Sequence, residues 1–261
     1  MAAPWHGKNA SALFSGSEIY NLRNWTLTLT QDEINASALG DEWQKRLAGL
    51  KDFSVNASGL ARTGFNPLSV LGTSADLKLS FGGATEPYLQ GTALLTEYSE
   101  TVPYDGEATC QFTFDGNGSS GLTYTATGGT AASGQSNAFA GKSASAQIDS
   151  TTLTGVREWT LNLRCEAADI SAAMDSGFYR SRLAGLKSAT ATITALASGS
   201  PLLYLDNEYS IKLYRTSSTS ANFFGGTAIL TNAEHTVDVN EEEVITYTFA
   251  FTDKVEYEPQ S

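Results

Sequence analysis

The sequence RLAGLK occurs twice in this chain of 261 residues, at residues 46–51 and at residues 182–187. Other segments return in the same order at nearly the same distance. RNWTLTL at residues 23–29 returns 134 positions later as REWTLNL, and GTALLT at residues 91–96 returns 135 positions later as GTAILT. Ordered matches with so little drift indicate an internal duplication. The chain is therefore predicted to contain two similar domains.

The segment between the two copies, residues 119–137, has the composition of a linker. Fifteen of its nineteen residues are Gly, Ser, Thr or Ala, and none is charged. Such a composition is typical of a flexible connection between domains. The predicted organisation is one domain at residues 1–118, a linker at 119–137 and a second domain at 138–261.

Alternating apolar and polar residues predict the first strand of each copy. Trp25, Leu27 and Leu29 alternate with threonines, which is the period of a half-buried strand. The second copy repeats the pattern at Trp159, Leu161 and Leu163. We expect residues 12–14 to pair with the first of these strands as a hairpin. We expect all six alternating residues to belong to a repeated structural core.

The RLAGLK segment itself predicts a helix in each copy. Trp43, Leu47 and Leu50 lie at positions i, i+4 and i+7, which gives one apolar stripe on a helix. Leu183 and Leu186 repeat the last two positions of that stripe in the second copy. We expect these five side chains to pack in the core as well.

Strand patterns resume after each predicted helix. The predicted strands are residues 53–60, 75–81, 89–102, 108–114, 223–239 and 244–251. The predicted fold class is therefore β-dominated α+β, with two tandem domains of one helix each.

The residues give no indication of catalysis, of a cofactor or of a bound metal. His6 and His235 have no partner at metal-ligand spacing, and no nucleophile, dinucleotide or nucleotide-phosphate motif occurs. A calcium-loop pattern beginning at Asp115 fails at its sixth and twelfth positions. The shared segments are dominated by Trp, Leu and Gly, which are structural residue types, and they contain no candidate catalytic group. We therefore expect a protein that is not an enzyme.

The net charge of −12 makes tight binding to a nucleic-acid backbone unlikely to be the function, because such binding requires positive charge. Two cysteines are too few for a disulfide framework. No basic segment followed by an apolar run begins the sequence, and nowhere do 18 apolar residues run together. We expect synthesis in a cytosol and no membrane partner.

The order of these pieces resembles the major tail tube proteins of long-tailed bacteriophages. The resemblance is carried by R-x-W-T-L-x-L, then RLAGLK, then G-T-A-x-L-T, and is strongest over residues 21–53. It covers nearly all of the first copy and most of the second. The duplication departs from the family, whose subunits usually carry one such domain.

The resemblance implies that each domain is a β-sandwich or half-barrel flanked by one helix. It also implies that six domains form a ring whose inner sheets are continuous, and that stacked rings form a tube in the virion tail. DNA would pass through without specific binding, and the tape measure, tip and terminator proteins would be partners. Because each chain supplies two domains, we expect a homotrimeric ring with pseudo-sixfold symmetry.

Two alternatives remain open from the sequence. A tandem β-sandwich module for binding, adhesion or virion decoration would have a similar composition. A hydrolase on a β-scaffold would require a nucleophile and a base, for which the sequence shows no motif.

Overall fold

The computed structural model describes residues 7–118, 120–134, 137–171, 178–198, 200–201, 203–205, 207–216, 222–237 and 242–259. The described chain consists of strands, joined by loops and three short 3-10 helices. The helices are Gly7–Asn9, Pro67–Ser69 and Gly141–Ser143. The strands of the first half are β1 (Ser11–Phe14), β2 (Ser17–Glu18), β3 (Leu22–Asn35), β4 (Arg46–Leu60), β5 (Ser74–Ser80), β6 (Tyr88–Pro103), β7 (Thr109–Gly116) and β8 (Thr123–Thr125). Those of the second half are β9 (Ser145–Ile148), β10 (Thr151–Thr152), β11 (Val156–Asp169), β12 (Arg182–Leu196), β13 (Glu208–Tyr214), β14 (Phe223–Thr236), β15 (Val244–Phe251) and β16 (Glu256–Glu258).

Both halves have the same strand order. The first half runs β2-β1-β5-β6-β7-β4-β3, with β8 on β6. The second half runs β10-β9-β13-β14-β15-β12-β11, with β16 on β14. All of these pairs are antiparallel. This order lets each residue be assigned a counterpart, which we define as the residue in the same register position of the other half.

The irregularities of the strands also recur at the same places. Three register shifts of the kind made by a β-bulge recur in each half. They lie between Leu22 and Asn24, between Gln31 and Glu33 and between Leu95 and Glu97 in the first half, and between Val156 and Glu158, between Cys165 and Ala167 and between Leu230 and Asn232 in the second. The two halves therefore share their fold down to the position of individual bulges.

The prediction of a β-dominated fold is confirmed, and the open sheet fits a sandwich or half-barrel. The strands expected at residues 53–60, 75–81, 89–102, 108–114 and 244–251 are present, and β14 covers the start of the strand expected at 223–239. The expected hairpin at residues 12–14 is different, because β1 pairs with β2 and β5.

The predicted helices are wrong. RLAGLK begins β4 in the first half and β12 in the second, and the described part of the chain has no α-helix. Leu47 pairs across the strands with Ile34, and Leu183 with Ala168. Residues 172–177, which include the start of the second predicted helix, lie outside the described residues.

Gly49 explains why the repeated segment is a strand. It lies in a bulge of β4, where residues 49 and 50 oppose the single residue Asp32 of β3, and a Cβ on residue 49 would come within 2.9 Å of the Cβ of Asp32. Its counterpart Gly185 lies in the corresponding bulge of β12 and faces Glu166 of β11, with 3.2 Å between the corresponding atoms. A glycine inside an apolar pattern commonly marks such a bulge, and it also weakens a helix.

The described part of the predicted linker is fixed to the first half. β8 pairs with β6, and the Lys78 ammonium donates to the Gly128 carbonyl oxygen at 2.7 Å. The Ser11 hydroxyl donates to the Thr130 carbonyl oxygen at 2.6 Å, and the Ser133 amide donates to Glu18 at 2.8 Å. These residues are therefore held along the sheet, whereas the domain boundaries at 118 and 138 stay predictions. The described residues include no helix with the length and apolar character that a membrane crossing requires.

Candidate assembly interface

Strand pairing between β6 and β11 joins the two halves. Residues 97–103 of β6 lie antiparallel to residues 158–164 of β11. This pairing uses a part of β6 that β5 leaves open, because β5 pairs only with residues 88–94. The other edge of β6 pairs with β7 through residues 93–101. The sheet of the first half thereby continues into the sheet of the second, and we call this contact the internal joint.

Side chains on one face of the internal joint form an apolar layer, interrupted only by Glu100 opposite Leu161. Trp159, Leu161 and Leu163 of β11 are buried, as are Tyr98 and Val102 of β6. Because successive side chains of a strand alternate between faces, these residues all point to the same side. The Trp159 indole N–H is satisfied as well, since it donates to the Tyr214 carbonyl oxygen at 3.2 Å. Hydrophobic burial is therefore the main stabilising contribution to the joint.

A buried ion pair crosses the joint beside this layer. The Arg215 guanidinium donates to both carboxylate oxygens of Glu100, at 2.7 Å and 2.5 Å, and both side chains are fully buried. Arg215 also donates to the Phe65 carbonyl oxygen at 2.8 Å, and the Tyr98 hydroxyl donates to Glu100 at 2.5 Å. Because a buried charge is costly without partners, this bidentate geometry requires the two halves to meet in one arrangement.

The surroundings of this ion pair shift the pKa values of nearby groups. Burial acts to lower the pKa of Arg215, but the charge of Glu100, the hydrogen bonds to it and the nearby Tyr98 and Tyr257 together outweigh burial and raise that pKa. Burial, followed by the charge of Glu100, raises the pKa of Tyr98 well above its usual value. The same two causes raise the pKa of the buried Cys110 thiol to about 12. At neutral pH Glu100 therefore faces a charged arginine and an uncharged phenol and thiol.

The strand edges that correspond to the internal joint have no partner in the described chain. The counterpart of the joined part of β11 is residues 24–30 of β3, and β3 pairs only with β4. The counterpart of the joined part of β6 begins at Asn232 of β14, beyond the last β13 pair between Ile229 and Glu208. β14 therefore pairs there with β15 alone. The described chain thus leaves open the two edges that correspond to the partners of the internal joint, one on β3 and one on the second part of β14.

Burial differs accordingly between the joined and the open edges. Leu163 of β11 is 2% exposed, whereas its counterpart Leu29 is 63% exposed. Val102 of β6 is 1% exposed, whereas its counterpart Val237 is 71% exposed. Apolar side chains that the joint buries therefore have exposed counterparts on both open edges, Leu29 on β3 and Val237 directly after β14.

Gly7 and Gly141 show the same difference at a position without a side chain. A Cβ on Gly141 would overlap the carbonyl oxygen of Pro103, so the joint requires glycine there. Gly7 is its counterpart, and a Cβ on Gly7 would meet no described atom within 4 Å. A cavity of about 550 Å³ lies beside Gly7, lined in part by Trp25 and Phe81. In the internal joint the end of β6 fills the position beside Gly141, whereas the corresponding position beside Gly7 is left free for a strand.

The open edges lack the buried ion pair. The counterpart of Glu100 is His235, and the counterpart of Arg215 is Phe81. Phe81 instead contacts Trp25 edge-to-face, with ring centroids 5.5 Å apart. His235 pairs with Glu243 at 2.7 Å. The open edges therefore carry no equivalent of the buried charge pair of the internal joint.

The residues predicted for the repeated core divide into three groups. Trp159, Leu161 and Leu163 are buried, and Trp25, Leu27 and Leu50 are half-buried. The prediction is wrong for the five that are exposed in the single chain, Leu29, Trp43, Leu47, Leu183 and Leu186. Sequence reasoning missed Glu100 and Arg215. The only signal was a charged residue at an apolar position of a strand pattern, and such a signal does not identify the residue that pairs with it.

Replacing Glu100 with glutamine is expected to destabilise the fold by about 3–5 kcal/mol, because Arg215 would stay buried without its counter-charge. The matched control is Glu97→Gln, which removes the exposed pair with Arg164 at 3.4 Å and should cost less than about 1 kcal/mol. Urea denaturation at neutral pH measures both values. Equal losses for the two variants would contradict the role assigned to Glu100.

Cys110 should make part of the stability dependent on alkaline pH. The unfolded thiol has a pKa near 9.0 and the folded thiol near 12, so the free energy of unfolding falls as pH rises between these values. Between pH 8 and pH 10.5, the free energy of unfolding of Cys110→Ala should therefore fall by about 2 kcal/mol less than that of the unmodified protein. Urea denaturation at the two pH values tests this, and identical losses would show that the thiol titrates normally.

No protein-family model matches the chain, and no curated protein matches it. Among solved structures, a chain from the tail of an empty gene transfer agent particle, computed with helical refinement and C6 symmetry, is similar at 15% identity and a TM-score of 0.33. The match covers 41% of this chain and 84% of that chain. A chain from the virion of a native gene transfer agent particle is similar at 15% identity and a TM-score of 0.38, covering 46% of this chain and 98% of that chain.

Proposed function

We propose that the chain is a structural virion protein that assembles head to tail into rings, and that stacked rings form a phage tail tube. The observation that carries the proposal is the pair of open edges, which repeat the two surfaces of the internal joint and leave its apolar layer uncovered. The open edge of β3 in one chain would pair with the open edge of β14 in the next.

The register of the internal joint gives the register of this pairing. Transferring it to the counterparts places Leu29 opposite Ala233, Leu27 opposite His235 and Trp25 opposite Val237. Thr26 would meet Thr236, as Thr160 meets Thr101 within the chain at 3.1 Å. No two like charges oppose each other in this register. Burying an apolar side chain of the size of Leu29 or Val237 contributes about 2 kcal/mol, so the pairing is favourable.

The two contact surfaces lie on different parts of the chain, which makes the contact heterologous. Such contacts form closed rings when the rotation between subunits closes, and open filaments when it does not. A chain with two halves of the same fold supplies two positions of a ring. The sequence resemblance implies six positions, so we propose rings of three chains with pseudo-sixfold symmetry.

The proposed role is structural and not enzymatic. Stacked rings would form a conduit through which DNA passes during delivery, and the net charge of −12 would oppose adhesion of the DNA. The proposed partners are other copies of the chain and the tape measure, tip and terminator proteins of the tail. The proposed location is the tail of the virion, after synthesis in the host cytoplasm.

The concentrated protein is expected to form particles of about 83 kDa, three times the 27.7 kDa of one chain, or tubes built from them. Sedimentation velocity measures the mass, and end-on views in negative-stain electron microscopy give the symmetry. A central hole with threefold or pseudo-sixfold symmetry is the expected result. A protein that stays a single chain at every concentration would contradict the proposal and favour a tandem binding module.

Leu29→Lys is expected to abolish ring formation without changing the stability of the single chain. Leu29 is exposed in the chain, so lysine there costs little, whereas in the ring its charge would face Ala233 of the neighbouring copy. Ile34→Lys is the matched control, because Ile34 lies on the same strand and its counterpart Ala168 stays exposed beside the internal joint. Rings that form equally well with both variants would show that β3 is not the contact edge.

A further inference from the structure

A loop of the second half docks on the first half beside the internal joint. The Lys51 amide donates to the Phe178 carbonyl oxygen at 2.7 Å, and the Arg180 amide donates to the Lys51 carbonyl oxygen at 3.0 Å. Tyr179 lies between these two contacts, with the Lys51 ammonium 5.6 Å from the centre of its ring. We call residues 178–182 the docking loop. It bonds to the edge of β4 at Lys51, beyond the part of that edge that β7 covers.

The first half is shaped to receive this loop. A Cβ on Gly121 would overlap the Tyr179 ring, so the ring lies directly on the backbone there. The Arg182 amide donates to the Asn117 side chain at 2.5 Å, and its guanidinium donates to Asp52 at 2.9 Å. These contacts give the loop a defined receiving site, composed of residues 51–52, 116–118 and 121.

The first half contains the corresponding loop at residues 42–46, closed by the same hydrogen bonds at its base. The Lys45 amide donates to the Ser37 hydroxyl at 2.9 Å, as the Ser181 amide donates to the Ser171 hydroxyl at 2.9 Å. The backbone bonds that close the two loops, to the Lys45 and Ser181 carbonyl oxygens, are both 2.9 Å long. Trp43 occupies the position of Tyr179 but is 84% exposed. The loop of the first half therefore closes like the docking loop, but no described part of its own chain covers Trp43.

The second half has the matching receiving site, and it is open. The counterparts of residues 51–52, 116–118 and 121 are residues 187–188, 251–253 and 254, and they line a cavity of about 490 Å³. On the strand edge toward β15, pairing of β12 begins only at Thr190, which leaves Lys187 beyond it. Lys187, Thr252 and Lys254 are exposed here, whereas Lys51 and Asn117 are half-buried under the docking loop.

We propose that Trp43 of one chain fills this cavity in the next chain and locks neighbouring subunits together. The inference rests on the proposed function and names the side chain that secures its contact. In the internal joint, the second half contributes both β11 and the docking loop. The counterparts of these two elements, β3 and the loop with Trp43, both belong to the first half, so one chain would present both to the same neighbour. The two contacts therefore belong to one interface.

The chemistry of the cavity suits an indole and the acidic residue beside it. Lys187 and Lys254 line the cavity, and lysine ammonium groups bind aromatic faces most favourably when the ring is tryptophan. Glu42, which precedes Trp43, would bring a negative charge toward these two lysines. The docking loop also makes an ionic contact with the first half, since Arg180 pairs with Asp32 at 2.7 Å. Gln44 stands in the place of Arg180, so the contact between chains would be less ionic than the one within the chain.

A cysteine pair tests the contact directly. The Arg182 amide lies close to Asn117, and the counterparts of these residues are Arg46 and Thr252. In the assembled protein, Arg46→Cys with Thr252→Cys should form a disulfide between chains under mild oxidation, giving dimers and trimers on a non-reducing gel. Asn117→Cys with Arg182→Cys is the positive control within one chain, and Leu39→Cys with Thr252→Cys is the negative control. Cys110 and Cys165 are buried and do not compete.

Fluorescence gives a second measurement that leaves the loop intact. The difference between the emission spectra of the unmodified protein and Trp43→Phe isolates the signal of Trp43. That signal should shift to shorter wavelength on assembly, because an indole leaves water.

The outcomes separate this inference from the proposed function. A disulfide for the Arg46 pair but not for the Leu39 pair, together with the fluorescence shift, supports the Trp43 contact. Rings that form with neither signal, while the control pair within the chain oxidises, would overturn the Trp43 contact and leave ring formation standing. A protein that neither assembles nor forms the disulfide would overturn both.

Discussion

The pairing of β6 with β11 is the contact on which the arrangement of the whole molecule depends. It exists because β6 is 16 residues long and β5 only 7, so that β5 cannot cover the edge of β6. The uncovered edge accepts β11, and the buried pair of Glu100 and Arg215 then admits a single arrangement of the halves. The mismatch recurs in the second half, where β14 has 14 residues and β13 has 7. Each half thus carries one edge that accepts a strand and one strand that can be accepted.

When two such units pair, one acceptor edge and one donor edge remain open. The two halves of one chain therefore leave one acceptor edge and one donor edge unpaired, and adding further chains leaves the same two edges open until a ring closes. Exposed edge strands otherwise carry a risk of uncontrolled association. The proposed ring removes both edges. The replacement of Glu100 and Arg215 by His235 and Phe81 fits a division between a permanent joint and a contact that forms on assembly.

Particular residues show how far sequence reasoning reached. The alternation at Trp159, Leu161 and Leu163 predicted a strand correctly, because period two has no helical interpretation there. The stripe at Trp43, Leu47 and Leu50 predicted a helix wrongly, because a strand with a bulge also brings apolar residues to irregular spacing. Gly49 was the available signal for the bulge. Glu100 and Arg215 could not be matched in advance, since 115 residues separate them and only the folded chain brings them together.

The sequence by itself determined that the chain has two similar halves, that both are built from strands, and that matched segments keep nearly constant spacing. These properties depend on local patterns and on repetition, which a linear sequence records directly. The tertiary structure alone decided which strands lie at the edges and which side chains remain exposed. Leu29 and Leu163 have the same residue type in the same repeated pattern, yet one is covered by Tyr98 and the other faces solvent. Burial depends on what lies across from a residue in space, and the pattern around that residue does not contain this information.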